Sequence, residues 1–201
     1  MTGFLSDIRK IVTDLNSTSL PWCLIGGLAC SVYCEPRTTK DIDVAVSPSS
    51  PEDLETFVTC LEAIGYFNRQ LLMHVQPTHR LGWRLFHKSQ RGYDIPLDLL
   101  SSSSGIEREV VAAASLVEIL PSLLVPVASR AHLIAMKVVS ENSSDRIRDR
   151  MDLQGLIATA TDSDLAESKS ALLLIASRGF DRGKDVMSVF EDLLKTMSRR
   201  G

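Results

Sequence analysis

The sequence predicts an α+β fold in which a β-sheet with flanking helices is followed by a helical C-terminal part. Segments with the pattern of strands gather in the first half of the chain, and segments with the pattern of helices dominate the second. The chain has 201 residues, of which 44% are hydrophobic, and this is enough for one well-buried core. We therefore expect a core over residues 1–125 and a helical part over residues 126–201, packed together as one unit.

Helices and strands alternate in the first part of the chain. Residues 4–16 carry apolar side chains at spacings of three and four, which predicts an amphipathic helix. The apolar run 22–25 ends at two glycines and predicts a buried strand, which a short helix over 28–33 follows. Residues 41–46 alternate and are rich in β-branched side chains, as in a strand. Residues 51–64 begin with Pro, Glu and Asp and end before a glycine, as in a helix.

Further strands and helices are predicted along the rest of the chain. The strands cover residues 71–75, 83–87, 93–100 and 125–127, and the helices cover residues 130–139, 146–159, 164–177 and 184–197. Proline lacks the backbone N–H that a sheet hydrogen bond requires. Pro96 therefore implies that the strand 93–100 lies at a sheet edge, is bulged, or is unpaired at that position.

The composition excludes several classes of protein. The formal net charge is −3, from 22 basic and 25 acidic residues, whereas a protein that binds nucleic acid through its overall field is clearly basic. No run approaches the ~18 apolar residues of a membrane-spanning helix, and the first ten residues lack the pattern of a secretory signal. The four cysteines include no CxxC pair. We therefore expect reduced cysteines, no membrane contact and a cytoplasmic location.

Two aspartates flank Ile42 in the predicted strand 41–46. Because side chains alternate along a strand, Asp41 and Asp43 leave the same face while Ile42 enters the core. Two like charges roughly 6–7 Å apart along such a strand favour a cation between them. Magnesium usually binds one or two carboxylates together with substrate phosphates. The pair is thus a candidate magnesium site, and two solvated carboxylates are the alternative.

The two glycines that end the first predicted strand indicate a phosphate site. Gly26 and Gly27 precede a short helix, so backbone N–H groups and a helix N-terminus can approach an anion without a Cβ in the way. The segment is neither a P-loop of the form GxxxxGK[ST] nor the dinucleotide fingerprint, whose third glycine is missing. A phosphate site beside a metal site favours phosphoryl or nucleotidyl transfer.

The glycine pair and the residues that follow it resemble a known family. The pattern is Gly-Gly and then RxTxDhD, where h is apolar, with Arg37, Thr39, Asp41 and Asp43 at its fixed positions. It resembles the nucleotidyltransferase superfamily related to DNA polymerase beta, and within it the AbiEii-type group, which includes toxins of toxin–antitoxin systems. The resemblance implies a mixed β-sheet flanked by helices, glycines that hold a nucleoside triphosphate, and aspartates that bind metal.

The resemblance also implies a third carboxylate on a later strand. Asp98 matches this position best, because Leu97 and Leu99 give it the expected apolar setting. Asp94 is the rival, since it shares a strand face with Asp98.

Downstream, the resemblance implies a helical lysine and a [KR]DxxDL segment. Lys137 lies in HLIAMKVV, and Asp149 and Asp152 lie in RDRMDL. Aspartates three residues apart share one helix face. They would orient Lys137 or Arg37, or would contact the nucleotide or the acceptor, with Arg37 and Thr39 also placed at the nucleotide. Solvated surface charges are the alternative interpretation.

The implied activity is transfer of a nucleoside monophosphate from a nucleoside triphosphate to a hydroxyl acceptor. Asp41, Asp43 and Asp98 would hold two magnesium ions, and Lys137 or Arg37 would neutralise the developing charge. As an AbiEii-type toxin, the protein would act on tRNA or on a protein and would have an antitoxin partner.

Two other functions stay open at this point. An antibiotic nucleotidyltransferase of the aminoglycoside type requires an acidic pocket for a cationic small molecule, lined by further carboxylates such as Asp94 or Asp149. A non-catalytic nucleotide- or partner-binding module requires only the fold. The position of Asp98 relative to Asp41 and Asp43 distinguishes this module from an enzyme.

Overall fold

The computed structural model of the chain describes residues 2–75, 78–140 and 147–198. This part of the chain contains seven strands and eight helices, numbered in chain order. The strands are β1 (Trp22–Ile25), β2 (Ile42–Val46), β3 (Phe67–Val75), β4 (Thr78–Lys88), β5 (Asp94–Leu100), β6 (Ser115–Leu120) and β7 (Leu123–Val127). The helices are α1 (Thr2–Asn16), α2 (Gly26–Tyr33), α3 (Pro51–Ala63), α4 (Glu107–Ala112), α5 (Arg130–Ser140), α6 (Ile147–Ala158), α7 (Asp162–Ser177) and α8 (Val186–Ser198).

All the predicted elements are present, and two others occur that the patterns above do not predict. Helix α4 has six residues, which is too short for a helical repeat to show in the sequence. Strand β6 is the outermost strand beside β7, and its register shifts between Glu118 and Leu120, which breaks the regular alternation. Several boundaries also differ. Strand β2 begins at Ile42, so that Asp41 lies just before the strand, and β3, β4 and α2 begin earlier than predicted.

The seven strands form one mixed sheet in the order β3-β4-β5-β2-β1-β7-β6. Strand β1 runs antiparallel to β2 and parallel to β7, and β2 runs parallel to β5. The register pairs Ile25 with Asp43 and Asp43 with Asp98. The mixed sheet with its helices confirms the predicted α+β fold, and its three central strands bring the end of β1 beside two of the predicted carboxylates.

Pro96 lies in an interior strand, so the edge alternative is wrong. It pairs with Phe86 of β4, whereas the pairing of β5 with β2 starts one residue later, at Leu97. The side of β5 that faces β2 is therefore outside the ladder at Pro96. A proline is tolerated there because no N–H is required on that side.

Helices α5 and α6 pack against α2, which lies on the sheet. Helix α2 contacts β1 and β2, and both α5 and α6 contact α2, while α7 and α8 pack against α5. Leu133, Ile134, Leu153 and Leu156 are buried at these contacts and belong to the same apolar core as the central strands. Across residues 2–75, 78–140 and 147–198, none of the helices combines the length and the hydropathy that a membrane crossing requires.

Candidate active site

The residues proposed from the sequence as a site line one cavity. Its volume is about 1070 Å³, and it opens where α2 begins, beside the centre of the sheet. Nine predicted site residues line it, namely Gly26, Gly27, Arg37, Thr39, Asp41, Asp43, Asp98, Lys137 and Asp149. They come from five separate parts of the chain, so the fold rather than sequence proximity assembles them.

Three carboxylates crowd one wall of this cavity. Asp43 and Asp98 are paired neighbours on β2 and β5, and Asp41 comes two residues before Asp43. Burial, together with the nearby carboxylates of Asp41 and Asp98, raises the pKa of Asp43 from 3.8 to about 7. The wall therefore carries more negative charge than its surroundings balance, and a bound cation would relieve it.

Thr39 holds Asp41 in place. The Thr39 side chain is buried, and its hydroxyl donates a hydrogen bond of 2.7 Å to Asp41 Oδ1. This bond orients the Asp41 carboxylate without occupying its second oxygen. The structure thus gives Thr39 a clear contact with a predicted metal ligand, in addition to its place on the cavity wall.

Gly26 and Gly27 allow the start of α2 to approach the charged side chains. Gly26 has φ +65, and a Cβ built there would lie 2.0 Å from Oδ2 of Asp43. A Cβ on Gly27 would lie 2.9 Å from Nη2 of Arg37. Helix α2 begins at Gly26, and the residue before it provides no side-chain cap. The first N–H groups of a helix without a side-chain cap can donate to an anion.

A second cluster of charges faces the carboxylates from α5 and α6. Arg37 donates two hydrogen bonds to Asp152, at 2.6 and 2.7 Å, and Lys137 contacts Asp149 at 2.5 Å and Asp152 at 2.9 Å. Asp152 is buried, which would raise its pKa, but Arg37 and Lys137 hold its pKa below the ordinary value. The aspartates of RDRMDL therefore orient both predicted cations, which is one of the roles considered for them.

The charge on Lys137 is also stabilised by this cluster. Burial disfavours the charged amine, but Cys30 and the carboxylates of Asp149 and Asp152 outweigh this effect, and the pKa of Lys137 is raised above its ordinary value. Lys137 is therefore a permanent cation on the cavity wall at neutral pH.

Arg84 lines the cavity but was not predicted from the sequence. It lies on β4 directly opposite Asp98 of β5, and it donates two hydrogen bonds to the Asp98 carboxylate, at 2.6 and 2.7 Å. The sequence places an arginine between Trp83 and Leu85 in a predicted strand, but only the register of β4 against β5 reveals its partner. Arg182 lines the cavity from the segment between α7 and α8 and was not predicted either, because only the fold brings this segment to the cavity.

Asp94 lies apart from the cavity. It is exposed and pairs with Lys88 of β4 at 2.6 Å, whereas Asp98 lines the cavity. Asp94 precedes the part of β5 that pairs with β2, and this is why it does not reach the Asp43 carboxylate. Asp149 does line the cavity, but its contact with Lys137 balances its charge. The further free carboxylates that a cationic acceptor requires are thus not present at these two positions.

The donor set fits one magnesium ion between Asp41 and Asp43. Both are oxygen ligands, and the unbalanced charge at Asp43 favours a cation. Within the part of the chain that the structure describes, no three His, Cys, Asp or Glu side chains converge as a metal-binding group. This agrees with the bidentate contact of Asp98 with Arg84, which turns the third carboxylate toward β4.

Part of the cavity wall is apolar. Leu72 and Leu81 contribute from β3 and β4, and Met136 and Val139 contribute from α5. Ligand pockets typically combine such surface with a few polar groups that fix orientation. This wall can accept a planar group such as a nucleobase.

The serines at the rim of the cavity have a structural partner. Residues 101–104 form a loop in which Ser103 and Ser104 are buried. Their backbone N–H groups and hydroxyls donate four hydrogen bonds of 2.7–2.8 Å to one oxygen of Glu107 at the start of α4. Glu107 therefore fixes this loop.

Comparison with known protein families shows the family to which the chain belongs. A family model described as "Nucleotidyl transferase AbiEii toxin, Type IV TA system" matches residues 13–198. The chain belongs to the AbiEii nucleotidyltransferase family. It is therefore a nucleotidyltransferase, and the predicted resemblance is confirmed. A search of curated protein sequences finds no match.

Solved structures share the fold of this AbiEii family member. An antigenic nucleotidyltransferase-like protein from Paracoccidioides brasiliensis superposes with a TM-score of 0.54 at 16% identity, covering 92% of this chain and 91% of the other. A putative nucleotidyltransferase from H. pylori gives a TM-score of 0.52 at 13% identity, covering 96% and 94%. The antibiotic-resistance factor ANT(2'')-Ia gives 0.51 at 16% identity, covering 85% and 90%. At these identities the likeness establishes the fold alone.

Proposed function

We propose that this AbiEii family member transfers a nucleoside monophosphate from a nucleoside triphosphate to a hydroxyl acceptor, with magnesium held by Asp41 and Asp43. The observation that carries the proposal is the juxtaposition of these carboxylates with the glycines at the start of α2 in one cavity. The glycines supply donors for phosphate oxygens, and the carboxylates supply ligands for a cation.

The residues of the cavity have different roles in the proposed reaction. Gly26 and Gly27 donate backbone N–H groups to the triphosphate, and Arg37 and Lys137 neutralise the charge that develops on it. The cations are already fixed by Asp149 and Asp152, so they need no reorganisation during the reaction. Bound magnesium would supply Lewis-acid polarisation of the phosphates.

The acceptor side of the reaction involves Asp98. The acceptor oxygen forms a bond to the α-phosphorus, the bond between the α-phosphorus and the bridging oxygen breaks, and pyrophosphate leaves with that oxygen. Asp98 would take the proton of the acceptor hydroxyl as general base. Its place beside Asp43 in the register supports a catalytic arrangement over a non-catalytic binding module.

The acceptor class follows from the family and from the charge of the cavity. We propose a toxin role, with tRNA or a protein as acceptor and an antitoxin as partner, because the family model describes a toxin of a toxin–antitoxin system. Asp94 lies outside the cavity and Asp149 is paired with Lys137, so neither of them supplies a free carboxylate for a polycationic small molecule beyond the proposed metal ligands. The antibiotic-type alternative is accordingly less well supported.

Transfer of label from an α-phosphate-labelled nucleoside triphosphate tests the proposal. The wild-type protein, Asp43→Asn and the control Asp94→Asn are incubated with magnesium and, in separate reactions, with total tRNA, a protein extract or an aminoglycoside. We expect the wild type and Asp94→Asn to label one macromolecular acceptor and Asp43→Asn to label none. Equal labelling by Asp43→Asn would overturn the mechanism, and labelling of the aminoglycoside alone would overturn the acceptor class.

A further inference from the structure

Among the contacts of the described residues, Asp98 is the one carboxylate of the three whose two oxygens both accept from a cationic side chain. Arg84 donates through Nε to Oδ1 and through Nη2 to Oδ2. These hydrogen bonds raise the pKa of Arg84 above its ordinary value. Asp41 is contacted differently, since the neutral Thr39 hydroxyl donates to Oδ1. The fold thus supplies a built-in positive charge to Asp98.

A bulge in the pairing of β3 with β4 separates Arg84 from Arg80. The pairing of β3 with β4 skips Leu81, because Leu72 pairs with Gly82 and Met73 pairs with Arg80. Such a bulge changes the face on which the following side chains lie. Arg80, on the far side of the bulge, contacts Glu55 and the ring of Trp83.

The Arg84 pair limits what Asp98 can bind in addition. An ionised carboxylate has about four lone-pair sites, and a bidentate guanidinium uses one on each oxygen. A dication could still approach a remaining lone pair, but it would lie close to a guanidinium that stays charged at any working pH. The two cations would repel each other through a partly buried environment, where screening is weak.

We propose that Arg84 and a second metal ion compete for Asp98, so that the wild-type protein binds one ion firmly at Asp41 and Asp43 and a second ion only weakly. This inference rests on the proposed metal-dependent function. It states when Asp41, Asp43 and Asp98 can hold two metal ions together. The second ion binds well only when Arg84 releases the carboxylate. Arg84 is then a positioning residue that acts through Asp98.

Isothermal titration calorimetry of the full-length protein with manganese alone measures the competition. We expect the second binding step to tighten by roughly tenfold in Arg84→Gln, because one charge is removed within a few ångströms of the site. Arg80→Gln is the matched control, since it removes an arginine from the same strand that contacts Glu55. It is expected to bind manganese as the wild type does.

Two further variants keep the test decisive. Arg84→Lys retains the charge but not the two-pronged contact, and we expect a smaller tightening, of about threefold. Adding Asp98→Asn to Arg84→Gln is expected to abolish the gain. Far-UV circular dichroism shows whether each variant is folded. If Arg84→Gln does not fold, the comparison of the wild type with Arg84→Lys tests the competition.

The outcomes separate this inference from the proposed function. A wild-type second site that is as tight as the first, or unchanged isotherms in both Arg84 variants, overturns the competition. A gain in Arg84→Gln that survives Asp98→Asn also overturns it, since the extra ion would then bind elsewhere. Absence of any manganese binding by the wild type would instead contradict the metal site at Asp41 and Asp43.

Discussion

At the scale of single residues, the charges of the site balance one another in pairs, except that no cation among the described residues pairs with Asp41 or Asp43. Asp152 is matched by Arg37 and Lys137, and Asp98 is matched by Arg84. Asp43 is raised in pKa by burial and by its acidic neighbours. The unmatched charge lies where the proposed mechanism requires a metal ion.

The raised pKa of Asp43 predicts a pH dependence of stability in metal-free protein. The folded pKa is about 7 and the ordinary value is 3.8, so the stabilisation that Asp43 provides is full below the lower value and is lost as the pH rises to the higher one. Relative to Asp43→Asn, the wild type in EDTA should therefore become less stable between about pH 4 and about pH 7. Urea unfolding of both proteins across this range measures the difference.

Magnesium supplies the control for this pH prediction. A bound cation favours the charged carboxylate, so saturating magnesium should remove most of the loss in the wild type and leave Asp43→Asn unchanged. A constant difference in unfolding free energy between the two proteins over the whole range would contradict the proposed electrostatic environment of Asp43.

Asp152 provides a second test at the residue scale. It is buried and accepts hydrogen bonds from two cations, so Asp152→Ala leaves Arg37 and Lys137 without their shared partner. Breaking a buried ion pair from one side costs about 3–5 kcal/mol, and we expect a loss of this order in the free energy of unfolding. Asp192→Ala removes an exposed pair with Lys195 and should change little. Equal effects of the two substitutions would show that the buried cluster is not structural.

Sequence reasoning at this scale succeeds where a residue's role depends on its immediate neighbours. Asp41, Asp43 and the two glycines lie within 18 positions of one another, and their spacing indicates phosphate and metal binding. Arg84 could not be identified in this way, because its partner is fixed by the register of β4 against β5. The alternation pattern of a single strand does not reveal that register.

At the scale of elements, the site depends on how α2 begins against β2. Gly26 has φ +65, and its Cα faces the Asp43 carboxylate so closely that a Cβ would overlap Oδ2. We predict that Gly26→Ala loses magnesium-dependent nucleotide binding, because the new methyl group displaces Asp43. It should also lose roughly 1–2 kcal/mol of stability, because a left-handed conformation is costly for alanine. Thermal shift with nucleotide and urea unfolding measure the two effects separately.

Gly179→Ala is the matched control for Gly26→Ala. Gly179 has φ +77, but a Cβ there would meet nothing within 4 Å. It should lose a similar amount of stability and retain nucleotide binding. If Gly26→Ala also retained wild-type nucleotide binding, the close contact between α2 and Asp43 would have no functional role.

Local sequence patterns predict long helices and strands but not short ones. The principal strands and helices were predicted because their periodicity extends over a full element, as in α1 and α8. Helix α4 was not predicted because it spans only six residues. Its first residue, Glu107, accepts hydrogen bonds from the N–H groups and hydroxyls of Ser103 and Ser104. Interactions of this kind leave no periodic trace in a sequence.

At the scale of the whole molecule, the C-terminal helices complete a site that begins in the sheet. Arg37 precedes β2 and is held by Asp152 of α6, and Lys137 of α5 joins the same cluster. The order of the strands could not be derived from the sequence, because β5 and β7 pair with distant strands on either side of β1 and β2. The family resemblance implied a mixed sheet, but not this order.

These shared contacts predict that residues 1–125 and 126–201 unfold together. Trp22 and Trp83 report on the sheet by fluorescence, whereas far-UV circular dichroism reports largely on helices, including α5–α8. The urea midpoints of the two signals should coincide, as in a two-state transition. Loss of the helical signal at a lower urea concentration would contradict packing as one unit.

The central claim is that Asp41 and Asp43 hold the magnesium ion of a nucleoside triphosphate, and a thermal-shift titration tests it most directly. ATP, GTP, CTP and UTP are each added with and without magnesium to the wild type, Asp43→Asn and the control Asp94→Asn. We predict a magnesium-dependent rise in Tm with at least one nucleotide, retained in Asp94→Asn and lost in Asp43→Asn. A rise that needs no magnesium or persists in Asp43→Asn, or no rise with any nucleotide, would contradict the claim.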